Sequence, residues 1–296
     1  MSITSLLASN FGLILVGYLL RKYGGFAAEF WRGLERFVYY VLFPALLFGA
    51  IAGTTWEFAS AAALVETGVA FMAAGVMLGY AARFVFTVPD SSFASGFQCA
   101  FRFNGYIGFA IVGGLYGQPG VAAFGLLAGF MVILANVVSV WALARHGEGR
   151  VLREMARNPL ILSTFAGLAW ATLRLPLPEV AASFLAFLGE AALPMGLVSV
   201  GAGLRLLGLG RFKAFSSYVT GVKLVAVPAV AYLVGHALGL SDVYFAAALV
   251  LAALPAASSA YILTVQMGGD GRLVASLITI HLLAAVLTLP LWLALL

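Results

Sequence analysis

The feature that most constrains this chain is the scarcity of charge over runs long enough to cross a bilayer. Charged residues are 9% of the 296 and hydrophobic residues 63%. A soluble domain carries about 25% charged residues, because it must wet its surface. A soluble fold has no way to hide this much apolar surface, whereas lipid accepts it as solvent. The chain therefore reads as an all-α integral membrane protein. Helices rather than a barrel follow, because the runs are continuously apolar and do not alternate.

Spanning the ~30 Å hydrocarbon layer takes ~20 helical residues. Cutting at charges and at Gly/Pro breaks gives ten transmembrane helices. They run roughly over 3–20, 37–52, 60–82, 91–116, 121–144, 159–173, 180–204, 216–240, 243–265 and 273–296. Arg21 and Lys22 follow the first run and no basic residue precedes it. That charge order is opposite to a cleavable signal, so the run is expected to be a retained span. With the N-terminus outside, thirteen of the sixteen Lys and Arg residues fall in cytoplasmic loops and only Arg174 in an outer loop. The positive-inside bias thus predicts a multi-pass protein with both termini on the non-cytoplasmic side. It also accounts for the net charge of +5 without nucleic acid.

Ten spans divide into two halves of five, and an odd number forces similar halves to be inverted. We expect a first repeat over 1–144, a cytoplasmic linker at 145–158 and a second repeat over 159–296, forming one structural domain. Pro44 and Pro194 lie 150 residues apart, and the same offset carries Asn104 onto Leu254, beside Pro255.

The fourth and ninth spans carry the chemistry. The fourth contains Arg102-Phe103-Asn104-Gly105-Tyr106-Ile107-Gly108, and the ninth Leu254-Pro255-Ala256-Ala257-Ser258-Ser259-Ala260-Tyr261. In isolation, glycine and proline in a membrane helix are packing and kink residues. Two breaks at matching depth, with an intramembrane arginine, point instead to a binding site. Each break exposes a half-helix N-terminus, with free N–H groups and the positive dipole end, which suits an anion. Arg102 is placed to clamp a carboxylate, and Asn104, Ser258, Ser259 and Tyr261 to orient it. Gly105, Tyr106, Gly108 and Pro255 complete the candidate substrate-binding set.

Other polar residues lie inside the spans. Glu190 is read either as a proton carrier or as half of an ion pair with Arg102 or Lys223. Lys223 is expected to snorkel to the cytoplasmic interface, and Glu66 to sit at the outer one. His281 is expected to be a hydrogen-bonded structural residue, with a proton relay as the alternative. Asn136 is expected to bond between helices. The three histidines have no ligand spacing and Cys99 is alone, so no metal or cofactor is expected. No phosphate-binding loop of the ATPase type and no nucleophile elbow occur in the sequence, so an enzyme is not expected.

At these residues the chain resembles the auxin efflux carrier family, which includes bacterial malonate-type permeases. The matching pieces are Tyr39 to Phe48, Arg102 to Gly108, Leu193-Pro194 to Leu204, and Leu254 to Tyr261 with Gly268-Gly269-Asp270. The resemblance implies two inverted five-helix repeats with broken crossover helices four and nine. It implies a scaffold of spans one, two, six and seven, a mobile transport part, elevator-like alternating access and a homodimer. It also implies a small carboxylate substrate contacted by Asn104, and an inner-membrane location. Gly108 is followed by Phe109-Ala110 where many relatives have a proline, and the long loop of the plant carriers is missing. Plant auxin is therefore not the expected substrate. Alternatives left open are a sodium-coupled symporter of bile-acid-carrier type, a membrane-embedded enzyme, and a channel or receptor.

Overall fold

Every element in the computed structural model is helical among the described residues, which are 3–53, 58–143, 159–204 and 212–296. The linker 145–158, with Arg145, Arg150, Arg153 and Arg157, lies outside them, as do Arg205 and Arg211. The helices are α1 (Ile3–Tyr23), α2 (Ala28–Phe37), α3 (Phe43–Ala52), α4 (Phe58–Val85), α5 (Asp90–Phe97), α6 (Gly105–Leu143) and α7 (Pro159–Thr172). They continue as α8 (Glu179–Ala202), α9 (Lys213–Gly221), α10 (Val227–Ala237), α11 (Asp242–Ala253), α12 (Ser258–Gln266) and α13 (Gly271–Leu293).

Among the described residues six helical stretches are long and apolar enough to cross a membrane: Ala28–Ala52, Ala61–Val85, Asp90–Leu143, Glu179–Ala202, Lys213–Ala237 and Gly271–Leu293. Ten crossings would need the shorter helices, such as α7 and the α11–α12 pair, to contribute as well. The 54-residue stretch Asp90–Leu143 is not one rod. At Gly117 the backbone turns to φ 59, ψ −143, a region open to glycine. The chain folds back there: Phe109 packs edge-on against Phe124 at 4.7 Å, and Gly113 faces Val121.

Proline shapes two further elements. π-turns at Val38–Leu42 and Val222–Ala226 each end two residues before a proline, Pro44 and Pro228. A proline ring crowds the preceding turn and cannot donate to the carbonyl four residues back, so the helix widens. For Pro228 that carbonyl belongs to Leu224, and the Trp292 indole Nε1 donates to it at 2.9 Å. Pro194, the 150-residue counterpart of Pro44, instead lies inside the continuous helix α8.

Two packing groups meet along α6. In one, α1 lies along α8, and α3 along α7 and α8. Gly17 and Gly201 let the backbones of α1 and α8 touch: a Cβ on either would strike the carbonyl of Val198 or Ile14. In the other group α4 packs on α10, α6 on α11, and α12 and α5 on α13. Outward-facing side chains such as Leu15, Leu19, Met77, Phe184, Phe187, Leu233, Leu287 and Leu291 leave an apolar perimeter, as a lipid-facing surface requires.

Candidate functional site

Two helix interruptions meet inside the second group. In the first, α5 tightens into a 3₁₀ turn over Gln98–Ala100, and the amides of Phe101 and Arg102 both donate to the Gln98 carbonyl. Helix α6 restarts at Gly105, capped by Asn104, whose Oδ1 accepts the Tyr106 amide at 3.2 Å. In the second, Pro255 ends α11 by forcing the residue before it out of the helical region: Leu254 has φ −65, ψ 146. Ala257 is still extended, and α12 starts at Ser258. The interruptions touch through main chain, the Asn104 N–H donating to the Pro255 carbonyl at 2.8 Å.

The N-terminal ends of α6 and α12 therefore approach the same place. Helix α12 has Ala257 at its N-cap position, which supplies no side-chain acceptor; the Ala260 amide donates to the Ala257 carbonyl at 3.0 Å, leaving the amides ahead of it to an outside acceptor. Arg102 lies beside this end and is 6% exposed. Its Nε donates to Ser139 Oγ at 3.0 Å, Nη1 to Ser259 Oγ at 3.1 Å and Nη2 to Asn136 Oδ1 at 2.6 Å. All three acceptors are neutral, and Arg102 forms no salt bridge among the described residues. A guanidinium held this way keeps its positive charge uncompensated in a low-dielectric setting. Ser259 is exposed, so one of the three acceptors of this buried arginine lies at the surface of the helix group.

The expected site residues separate into distinct groups. Arg102 is bonded to Ser259, and Asn104 to Pro255, as two separate pairs that each bridge the two interruptions. A Cβ on Gly105 would meet the Phe109 ring at 3.8 Å, an ordinary contact, so the position is not tightly packed. Gly108 is a packing point: a Cβ there would collide with the Phe124 ring and with Leu254. Tyr106 is directed toward the first helix group, its ring 4.7 Å from Phe43 and against Gly196. Tyr261 is half-buried, and its ring edge faces Gly271. Ser258 is the first residue of α12, and its side chain lies outside the description.

Three readings of intramembrane polar residues need correction. Lys223 does not snorkel: it is 1% exposed and its Nζ donates to the Ala252 carbonyl at 2.7 Å. Its position in a π-turn aims it inward, which span depth alone does not reveal. Glu190 forms no ion pair with Arg102 or Lys223 among the described residues, because it lies on the exposed face of α8. His281 is fully buried, yet neither ring nitrogen finds a hydrogen-bond partner there. Asn136 does bond between helices, to Arg102.

Sequence reasoning passed over Ser139, three residues after Asn136 and on the same face of α6. The i, i+3 spacing of two polar residues in an apolar helix was the available signal. It also passed over Gln98, whose Nε2 donates to Thr264 Oγ1 at 2.8 Å and so joins the turn that ends α5 to α12. Ser92 donates to Asp270 Oδ2 at 2.8 Å, and the Asp270 amide donates to Ser95 Oγ at 2.8 Å, tying α5 to the start of α13. Glu35, near the end of α2, and Tyr39, in the π-turn that follows it, lie within electrostatic range of Tyr106, and Tyr39 within range of Arg102.

The sequence is similar along its length to known proteins. A family profile described as "Membrane transport protein" matches residues 2–146 and 144–293. Over 279 residues the chain is 29% identical to a Rhizobium meliloti protein described as "Putative malonate transporter", covering 90% of this chain and 87% of that one. Over 298 residues it is 25% identical to an "Uncharacterized transporter" of Methanothermobacter thermautotrophicus, covering 99% and 98%.

Proposed function

Since the chain belongs to this family of membrane transport proteins, we propose that it is a secondary transporter for a small organic anion, a carboxylate, bound where the two helix interruptions meet. The observation that carries the reading is the Arg102 guanidinium, buried, bonded only to neutral oxygens and set beside the uncapped end of α12. A carboxylate there gains the unbonded guanidinium donors, the leading amides of α12 and two converging positive helix ends. The relative named for malonate makes short dicarboxylates the first substrates to test.

The finer architecture belongs to the same proposal. Ten crossings arise when α1 and α7 also cross, the two arms of α6 each cross, and α11 with α12 together make one interrupted span. The chain is then two inverted five-helix repeats in the inner membrane, with both termini on the non-cytoplasmic side. The division of packing between the α1, α3, α7, α8 group and the remainder supports a scaffold and a moving part. Alternating access then follows from an elevator-like displacement that carries the joined interruptions past the scaffold, in a homodimer. Export of an anion needs no coupling ion, because an inside-negative potential contributes ~2.3 kcal/mol per charge per 100 mV.

The test is carboxylate flux into and out of proteoliposomes holding the purified chain. Saturable flux of a short carboxylate is expected, with Arg102→Ala and Asn104→Ala abolishing it while leaving monodisperse, folded protein. Wild-type flux in both variants would remove the assigned site, and non-saturating flux would indicate a channel.

A further inference from the structure

A second buried polar cluster lies next to the binding region and is not used by it. Lys223, in the π-turn Val222–Ala226, places its ammonium on the Ala252 carbonyl at 2.7 Å. Ala252 is the penultimate residue of α11, the half-helix that stops at Pro255. Beyond it Leu254 is extended, so the last carbonyls of α11 have no following turn to accept from. They form the negative end of the α11 dipole, inside the protein.

Among the described residues Lys223 forms no salt bridge, so no carboxylate holds it there. The helix end does. A second buried polar residue lies nearby: His281 of α13, the helix that packs against this π-turn, is 0% exposed and within electrostatic range of Lys223. Neither of its ring nitrogens has a partner among the described residues. The cluster thus contains a helix C-terminus, one cation and an imidazole with unused acceptor capacity.

In transporters built on broken helices, unwound carbonyls and half-helix C-terminal ends are where a coupling sodium ion is coordinated. Here that position is occupied by a side chain. We infer that the Lys223 ammonium is a tethered replacement for a coupling cation, so that this chain works without sodium. Removing the ammonium opens a site for a free alkali cation, with the Ala252 carbonyl and His281 on its wall. The transport consequence rests on the carboxylate-carrier reading; the cation site itself does not.

The experiment compares thermal unfolding of the full-length purified chain in sodium chloride and in choline chloride at equal ionic strength. Wild type and Lys223→Arg are expected to melt identically in the two salts. Lys223→Ala is expected to melt lower than wild type and to regain about 3 °C in sodium, the shift expected of a weakly bound stabilising ligand. Lys223→Met, which refills the space without a charge, is expected to be insensitive to sodium. Equal melting of Lys223→Ala in both salts overturns the inference. So does sodium stabilisation of wild type, or sodium-dependent uptake by wild type, and these arms decide the matter should Lys223→Ala not fold. Sodium stabilisation of Lys223→Ala in a chain that carries no carboxylate would keep the cation site and discard the anion reading. Carboxylate flux by wild type with no sodium response in Lys223→Ala would do the reverse.

Discussion

Arg102 and Lys223 share one sequence signature, a lone cation inside an apolar run, and the fold uses them oppositely. Arg102 sits at converging positive helix ends with spare donors, and on the proposed reading it recruits an anion. Lys223 sits at a negative helix end, and on the inference drawn above it stands in for a recruited ion. Nothing in the local sequence distinguishes these cases, because the sign of the nearest helix terminus is a tertiary property. The role of Arg102 depends on the planar fork that reaches Ser139, Ser259 and Asn136 together. A lysine is a point charge and cannot match it. Arg102→Lys is therefore expected to cut carboxylate flux about tenfold or more, the scale of one lost charge-assisted hydrogen bond, measured as initial rates in proteoliposomes. Gly108 was legible as a special residue, but its neighbours were not. With Phe124 and Leu254 where its Cβ would go, Gly108→Ala should destabilise by about 1–3 kcal/mol. A second change, Phe124→Leu, should recover part of the loss in detergent melting curves.

At the level of helices, the interruptions could be read from Pro255 and from the Arg-Phe-Asn-Gly run, since each breaks a rule of helix continuity that needs no tertiary context. The π-turns were not legible, because proline in a helix permits a kink, a widened turn or, as at Pro194, an uninterrupted course. At Pro228 the outcome is tied to a donor for the orphaned carbonyl: Trp292, far away in sequence, donates to Leu224. Trp292→Phe should then destabilise by about 1–3 kcal/mol, the cost of a buried carbonyl left without a donor. In a Pro228→Ala background the backbone can donate to Leu224 again, and the same tryptophan change should cost much less. A double-mutant cycle by thermal unfolding checks this, and additive effects would contradict the account.

For the molecule as a whole, the lipid-facing character follows from composition alone, whereas the partition into two packing groups does not. That partition depends on close approaches such as Gly17 and Gly201, which short apolar motifs do not encode in a readable way. If the groups slide, covalent links should sort by which side of the boundary they fall on. A Leu46→Cys, Gly189→Cys pair joins α3 to α8 within one group, where a Cβ on Gly189 would stand 3.6 Å from that of Leu46, within disulfide range. Its oxidation should leave flux intact. Gly113→Cys with Leu193→Cys, bridged by a short thiol cross-linker, joins α6 to α8 across the boundary and should stop flux until the link is reduced. Cys99 is buried, so it offers little interference. The clasp from the Asn104 amide to the Pro255 carbonyl carries a longer consequence. Both its atoms belong to the polypeptide itself, so most side-chain changes at 104 should leave the donor in place, whereas a change at 255 would also remove the break that presents the acceptor. Proline at 104 is the single substitution there that deletes the N–H, and it should unfasten this clasp along with the Asn104 cap on the Tyr106 amide.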